Sequence, residues 1–118
     1  MNILVLESDP TVADVLARSL GARGHAVVLA VGATDGQSRL QSEEFDAVVI
    51  DVGLQSSAGF SLLAWTREAC PRLPRVLTSG DGRSGAVGLR PHGEVFLEKP
   101  FAASRLEAAL TEAGASDT

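Results

Sequence analysis

The chain has 118 residues, enough for one domain and too few for two independent cores. Its 45% apolar content supports a buried core, but with only 4% aromatic residues Ala, Val and Leu must fill it. A formal charge of −5 with scattered arginines argues against nucleic-acid backbone binding by this domain, and the lone Cys70 excludes an internal disulfide framework and suits a reducing cytoplasm.

The chain opens on MNILVLESDP. Its apolar run, Ile3–Leu6, has no basic segment before it and is too short for a signal peptide or a membrane span. The run predicts a buried strand that ends at Glu7. Asp9 can cap a helix opened by Pro10, with Val12, Val15, Leu16, Ser19 and Leu20 as its inner stripe and Gly24 beyond its end. His25 reads as a turn residue before a second strand, Ala26–Ala30. A second helix fits Ala33–Gln41, a third strand Ala47–Ile50, and a third helix Phe60–Ala69, in which Trp65 packs. A fourth strand follows at Arg75–Thr78.

The next stretch, GDGRSGAVGLRPHG at residues 80–93, holds five glycines and a proline where a fourth helix should lie. An interior glycine costs about 1 kcal/mol relative to alanine and a proline about 3, so this helix is predicted to be short, irregular or largely absent. A fifth strand fits Val95–Leu97 and a last helix Ala102–Ala113, leaving 114–118 as a frayed tail. Near-continuous apolar runs alternating with helical patterns imply an α/β fold: a doubly wound, five-stranded parallel sheet.

In such sheets ligands bind beyond the carboxyl ends of the strands. The first strand is followed by Glu7, the third by Asp51, the fourth by Ser79 and the fifth by Lys99, with Pro100 next. Taken singly, each has a plainer role: Asp51 opening a loop, Glu7 a solvated strand end, Ser79 a turn hydroxyl, Lys99 a surface lysine. Together on one rim they form a kit for a phosphoryl group: a carboxylate nucleophile, acids for Mg²⁺, and a hydroxyl and a cation for phosphate oxygens.

The motifs ILVLESDP, AVVIDVGLQSSAG, VLTSG and VFLEKPF, in this order and spacing, resemble a bacterial two-component response-regulator receiver domain from Met1 to about Gly114. The resemblance implies a flavodoxin-like strand order of 2-1-3-4-5 and a single domain over 1–118. It implies Asp51 as phosphoacceptor, Lys99 as the lysine contacting phosphate, Ser79 as the switch hydroxyl and Phe96 as the aromatic that turns inward on activation. A histidine kinase or histidine phosphotransfer protein would be the donor, in the cytoplasm, with no membrane and no nucleic acid involved. The domain would be no enzyme beyond accepting and losing a phosphoryl group. The Lys99–Pro100 bond is often cis in the family.

The departures concern the metal. Receivers carry two adjacent acids after the first strand, but here Glu7 is followed by Ser8, a neutral ligand in place of the usual acid. Weak Mg²⁺ binding is expected, through Glu7, Asp51 and the Gly53 carbonyl. The acceptor loop also has Gln55 where proline is usual and Ala58 where an acid is common. A phosphorylation-independent pseudo-receiver, acting as a protein-interaction module, is the alternative that Ser8 and the glycine-rich stretch favour. Two other rivals fail on context. GDGRSG matches G-x-G-x-x-G but is followed by Gly88 and Pro91, and an aspartate phosphatase would want an acid at Gly53. Cys70, His25 and His92 suggest no zinc site.

Overall fold

The computed structural model of the chain describes residues 1–53, 57–80 and 94–115. The helix expected over 80–93 lies almost wholly outside the described residues, as do Gln55 and the end of the tail. Five parallel strands, β1 (Asn2–Leu6), β2 (Ala26–Leu29), β3 (Ala47–Asp51), β4 (Arg75–Ser79) and β5 (Val95–Glu98), form one sheet in the order β2-β1-β3-β4-β5. This is the predicted doubly wound order. The described helices are α1 (Pro10–Ala22), α2 (Ala33–Ser42), α3 (Ser57–Ala69) and α4 (Ala103–Ala115).

Strand periodicity divides the core into two layers. Ile3 and Val5 of β1, Val49 of β3 and Leu97 of β5 face α1 and α4, where Leu16, Leu20, Leu106 and Leu110 meet them. Leu4, Leu6, Val48, Ile50 and Leu77 face the other way, onto Leu62 and Leu63 of α3. Trp65 and Phe96 pack against this second layer, as expected for Trp65. Gly36 brings α2 close to α3, because a β-carbon there would sit 3.0 Å from Leu62 Cδ2.

Several local expectations need correction. Val15 was expected on the inner stripe of α1 but is 53% exposed, and Ala13 is buried instead. The buried set Ala13, Leu16 and Leu20 follows the helical repeat, and Val15 turns away from it. β2 is an edge strand whose Ala26 and Leu29 are exposed, not a strand covered on both faces. Helix α3 begins at Ser57, three residues before the predicted start, and α4 continues through Ala115, so Gly114 is helical rather than frayed. His25 is more than a turn residue. Its Nε2 lies 2.7 Å from Glu107 Oε2, and Arg23 donates to Glu107 Oε1 through Nε and Nη2 at 3.1 and 2.9 Å. These bonds tie the entry to β2 to α4. Hydrogen bonds from Arg23 and then His25 hold the Glu107 carboxyl down at about 2.

The amino edge of the sheet carries a group that reads as ordinary surface charge in the sequence. Glu94, just before β5, is fully buried. Arg67 of α3 donates to it through Nη2 and Nε at 2.6 and 2.8 Å, and Arg75 of β4 through Nε at 3.0 Å. Arg75 also donates to the Cys70 carbonyl at 3.0 Å. Two of the scattered arginines are thus structural counter-ions.

Candidate functional site

Register places the site at the carboxyl rim of the sheet. Leu6 pairs with Ile50, Asp51 with Thr78, and Thr78 with Leu97. Continuing the two-residue repeat, Glu7 follows β1, Asp51 ends β3 and Lys99 follows β5, all on the α1/α4 side. Ser79 ends β4, is buried, and accepts the Lys99 N–H on its carbonyl at 2.8 Å. The Lys99–Pro100 peptide is cis.

Asp51 is 3% exposed and both of its carboxylate oxygens have partners. Oδ1 accepts the Gly53 N–H at 3.0 Å. Oδ2 accepts the Ser8 hydroxyl at 2.5 Å and, more weakly, the Ser8 N–H at 3.4 Å. Lys99 Nζ stands 3.4 Å from the same oxygen. Burial pushes the Asp51 carboxyl up. The Ser8 hydroxyl, the Gly53 N–H, the Lys99 charge and the Ser8 N–H outweigh it, and the pKa falls below the ordinary aspartate value. Asp51 is therefore an ionised carboxylate at neutral pH, able to act as a nucleophile.

Glu7 is deeper still, its side chain 1% exposed. Oε2 accepts the Asp9 N–H at 2.9 Å. Oε1 is buried without a hydrogen bond of regular geometry and is held by charge, 2.8 Å from Lys99 Nζ. Lys99 thus bridges both acids. Asp9 is the helix cap, in extended backbone conformation, accepting the Thr11 and Val12 N–H groups at 2.9 and 3.4 Å. Its Oδ1 is thereby engaged with α1, and Ser8 is the side chain at the second acid position.

Glu7 Oε1 and Asp51 Oδ2, drawn together by Lys99, are hard oxygen donors of the kind Mg²⁺ takes, so these two acids fit such a site once the lysine is pushed back. Among the described residues no cluster of three or more His, Cys, Asp or Glu side chains that could hold a metal ion occurs. Phe96 is half-buried on the opposite face of β5, packed against the α2/α3 layer rather than in the site. What sequence reasoning missed is the direction of the Ser8 hydroxyl. A missing acid is visible in the sequence, but a hydrogen bond onto the acceptor is not. A groove of about 230 Å³ borders the site, lined by Val12, Val15, Leu16, Lys99, Pro100 and Phe101. Among the described residues no helix is long and apolar enough to cross a membrane.

Residues 3–111 match the family model of the response regulator receiver domain. The response regulator MprA of Mycobacterium avium is 35% identical over 112 residues, covering 93% of this chain and 49% of that protein. The transcriptional regulatory protein QseB of Escherichia coli O157:H7 is 34% identical over 116 residues, covering 93% of this chain and 53% of its own length. The chain thus spans about half the length of these curated relatives. The crystal structure of the receiver domain of NtrX from Brucella abortus superposes with a TM-score of 0.81 at 30% identity, covering 96% of this chain and 98% of that one.

Proposed function

The chain belongs to the response regulator receiver domain family, and on that premise we propose that it accepts a phosphoryl group on Asp51 and signals by binding another protein. The observation that carries this reading is the contact set around Asp51: an ionised, buried carboxylate at the strand end, bridged by Lys99 to Glu7. In the transfer one Asp51 oxygen forms the new P–O bond. The bond from phosphorus to the donor breaks, and the donor atom keeps the electron pair. Lys99 stands where a cation can meet the phosphoryl oxygens, and Ser79, buried at the end of β4, is the hydroxyl that the family reading assigns to them. The Gly53 N–H fixes the carboxylate plane.

Mg²⁺ would be held by Glu7, Asp51 and the Gly53 carbonyl, with Ser8 as the neutral neighbour, and when bound it supplies neutralisation of charge on the phosphoryl oxygens. With Lys99 counted, Glu7 and Asp51 leave a net charge of about −1, one unit less than an aspartate at position 8 would leave. The site is weak for a hard cation.

A protein donor, a histidine kinase or histidine phosphotransfer protein, needs apolar surface beside the acceptor. The Val15–Phe101 groove, which includes Lys99 in its wall, offers that surface. No catalytic turnover of a separate substrate is proposed. The test is incubation with acetyl phosphate and Mg²⁺, read by intact mass. One phosphoryl group on the wild type and none on Asp51→Ala supports the reading. An unmodified wild type at high donor and Mg²⁺ concentrations overturns it in favour of a pseudo-receiver, a second reading favoured by the Ser8 contact to Asp51.

A further inference from the structure

We propose that the Ser8 hydroxyl is a latch on Asp51, one that competes with a divalent cation for the acceptor carboxylate. Loss of an acid at position 8 explains only a missing ligand. The structure shows an added contact as well: the hydroxyl donates to Asp51 Oδ2 at 2.5 Å, and the Ser8 N–H approaches the same oxygen at 3.4 Å.

Geometry argues that the hydroxyl opposes the cation rather than serving it. Adjacent oxygens around an octahedral Mg²⁺, each at about 2.0–2.1 Å from the metal, are about 2.9 Å apart. The Ser8–Asp51 pair is tighter than that edge, and Oδ2 already takes the Ser8 hydroxyl, the Ser8 N–H and the Lys99 ammonium, so a cation ligated by Oδ2 must displace one of them. The occupied corner is closed on its other side by Lys99, 2.8 Å from Glu7 Oε1 and 3.4 Å from Asp51 Oδ2. The hydroxyl and the ammonium together satisfy the carboxylates as a cation would. A bound ion must displace the first and push back the second.

The latch also connects the acceptor to α1. Ser8 lies between Glu7, which accepts the Asp9 N–H, and Asp9, which caps the helix. The latch thus ties Asp51 to the β1–α1 corner, and its bearing on signalling rests on Asp51 being the phosphoacceptor.

The test reads cation binding alone, so it fails separately from the phosphoacceptor reading. Mg²⁺ is titrated into the full chain while the backbone amide NMR signals of Ser8 and Gly53 are followed, in the wild type, Ser8→Ala and Ser8→Thr. Position 8 is exposed, and matching amide spectra at sites remote from the rim confirm that each variant is folded. The latch predicts that Ser8→Ala, which adds no ligand, binds Mg²⁺ about 3- to 10-fold more tightly than the wild type. A tenfold change in Kd equals about 1.4 kcal/mol, within reach of a charge-assisted hydrogen bond partly replaced by water. Ser8→Thr, which retains the hydroxyl, stays near the wild type. If Ser8→Ala binds no more tightly, or more weakly, the hydroxyl is a bystander or a ligand and the latch is overturned.

Discussion

Replacing Glu94 by Gln tests how much of the fold depends on the buried charge cluster. Gln keeps the shape of the side chain but removes the charge and turns one acceptor oxygen into a donor. Glu94 is fully buried and the Arg75 side chain is 1% exposed, whereas Arg67 is 31% exposed and can recover solvation. Only the Arg75 pair is therefore counted in full. Breaking a buried pair by removing one partner costs about 3–5 kcal/mol, the Arg67 side adding little because water screens it. Domains of this size are stable by about 5–15 kcal/mol, so the loss is severe without abolishing folding. The expected fall in Tm is about 10–20 °C by calorimetry or circular dichroism. Adding Arg75→Met to Glu94→Gln should restore part of it, since no guanidinium then stays buried without a counter-ion. A fall of less than about 3 °C in Glu94→Gln would refute the reasoning, because it would mean that the cluster contributes no more than an exposed pair.

Three further outcomes are expected. Burial pushes the Glu94 carboxyl up, but Arg67 and Arg75 hold it below the ordinary glutamate value. Its stabilisation is therefore complete above the unfolded pKa of about 4.3 and is lost as pH falls toward the folded one, so the Tm gap between wild type and Glu94→Gln should narrow in acid. Val15→Glu, at an exposed position in the groove beside Lys99, should slow phosphorylation by a protein donor about 10-fold while leaving the rate with acetyl phosphate unchanged, as paired kinetic assays would show. Asp9→Ala removes the α1 cap and should cost about 1 kcal/mol in a urea melt.

The strand ends were legible because each apolar run stops at a polar residue, and a parallel sheet gathers those stops onto one rim. Glu7, Asp51 and Lys99 meet for that reason, and the Asp9 cap could be read from the proline after it. Contacts between residues distant in sequence were not legible. Glu94 lies 27 residues from Arg67 and 19 from Arg75, and each reads alone as a solvated charge. His25 and Glu107 are 82 residues apart. The early start of α3 escaped because Ser57, Ala58 and Gly59 carry no strong helical pattern before Phe60. Val15 was misplaced because α1 buries a narrow stripe that includes the small Ala13, which hydrophobicity alone ranks below valine. Ser8 was legible as a lost acid; the direction of its hydroxyl depends on where Asp51 comes to rest.

The central claim is that Asp51 is the atom-level acceptor, and reductive trapping tests it most directly. The chain is incubated with a phosphodonor and Mg²⁺, treated with borohydride to reduce the acyl phosphate, and digested for peptide mass analysis. The account predicts homoserine at position 51 and at no other aspartate. Homoserine elsewhere, or a chain that carries no trapped residue after exposure to donor, would contradict it.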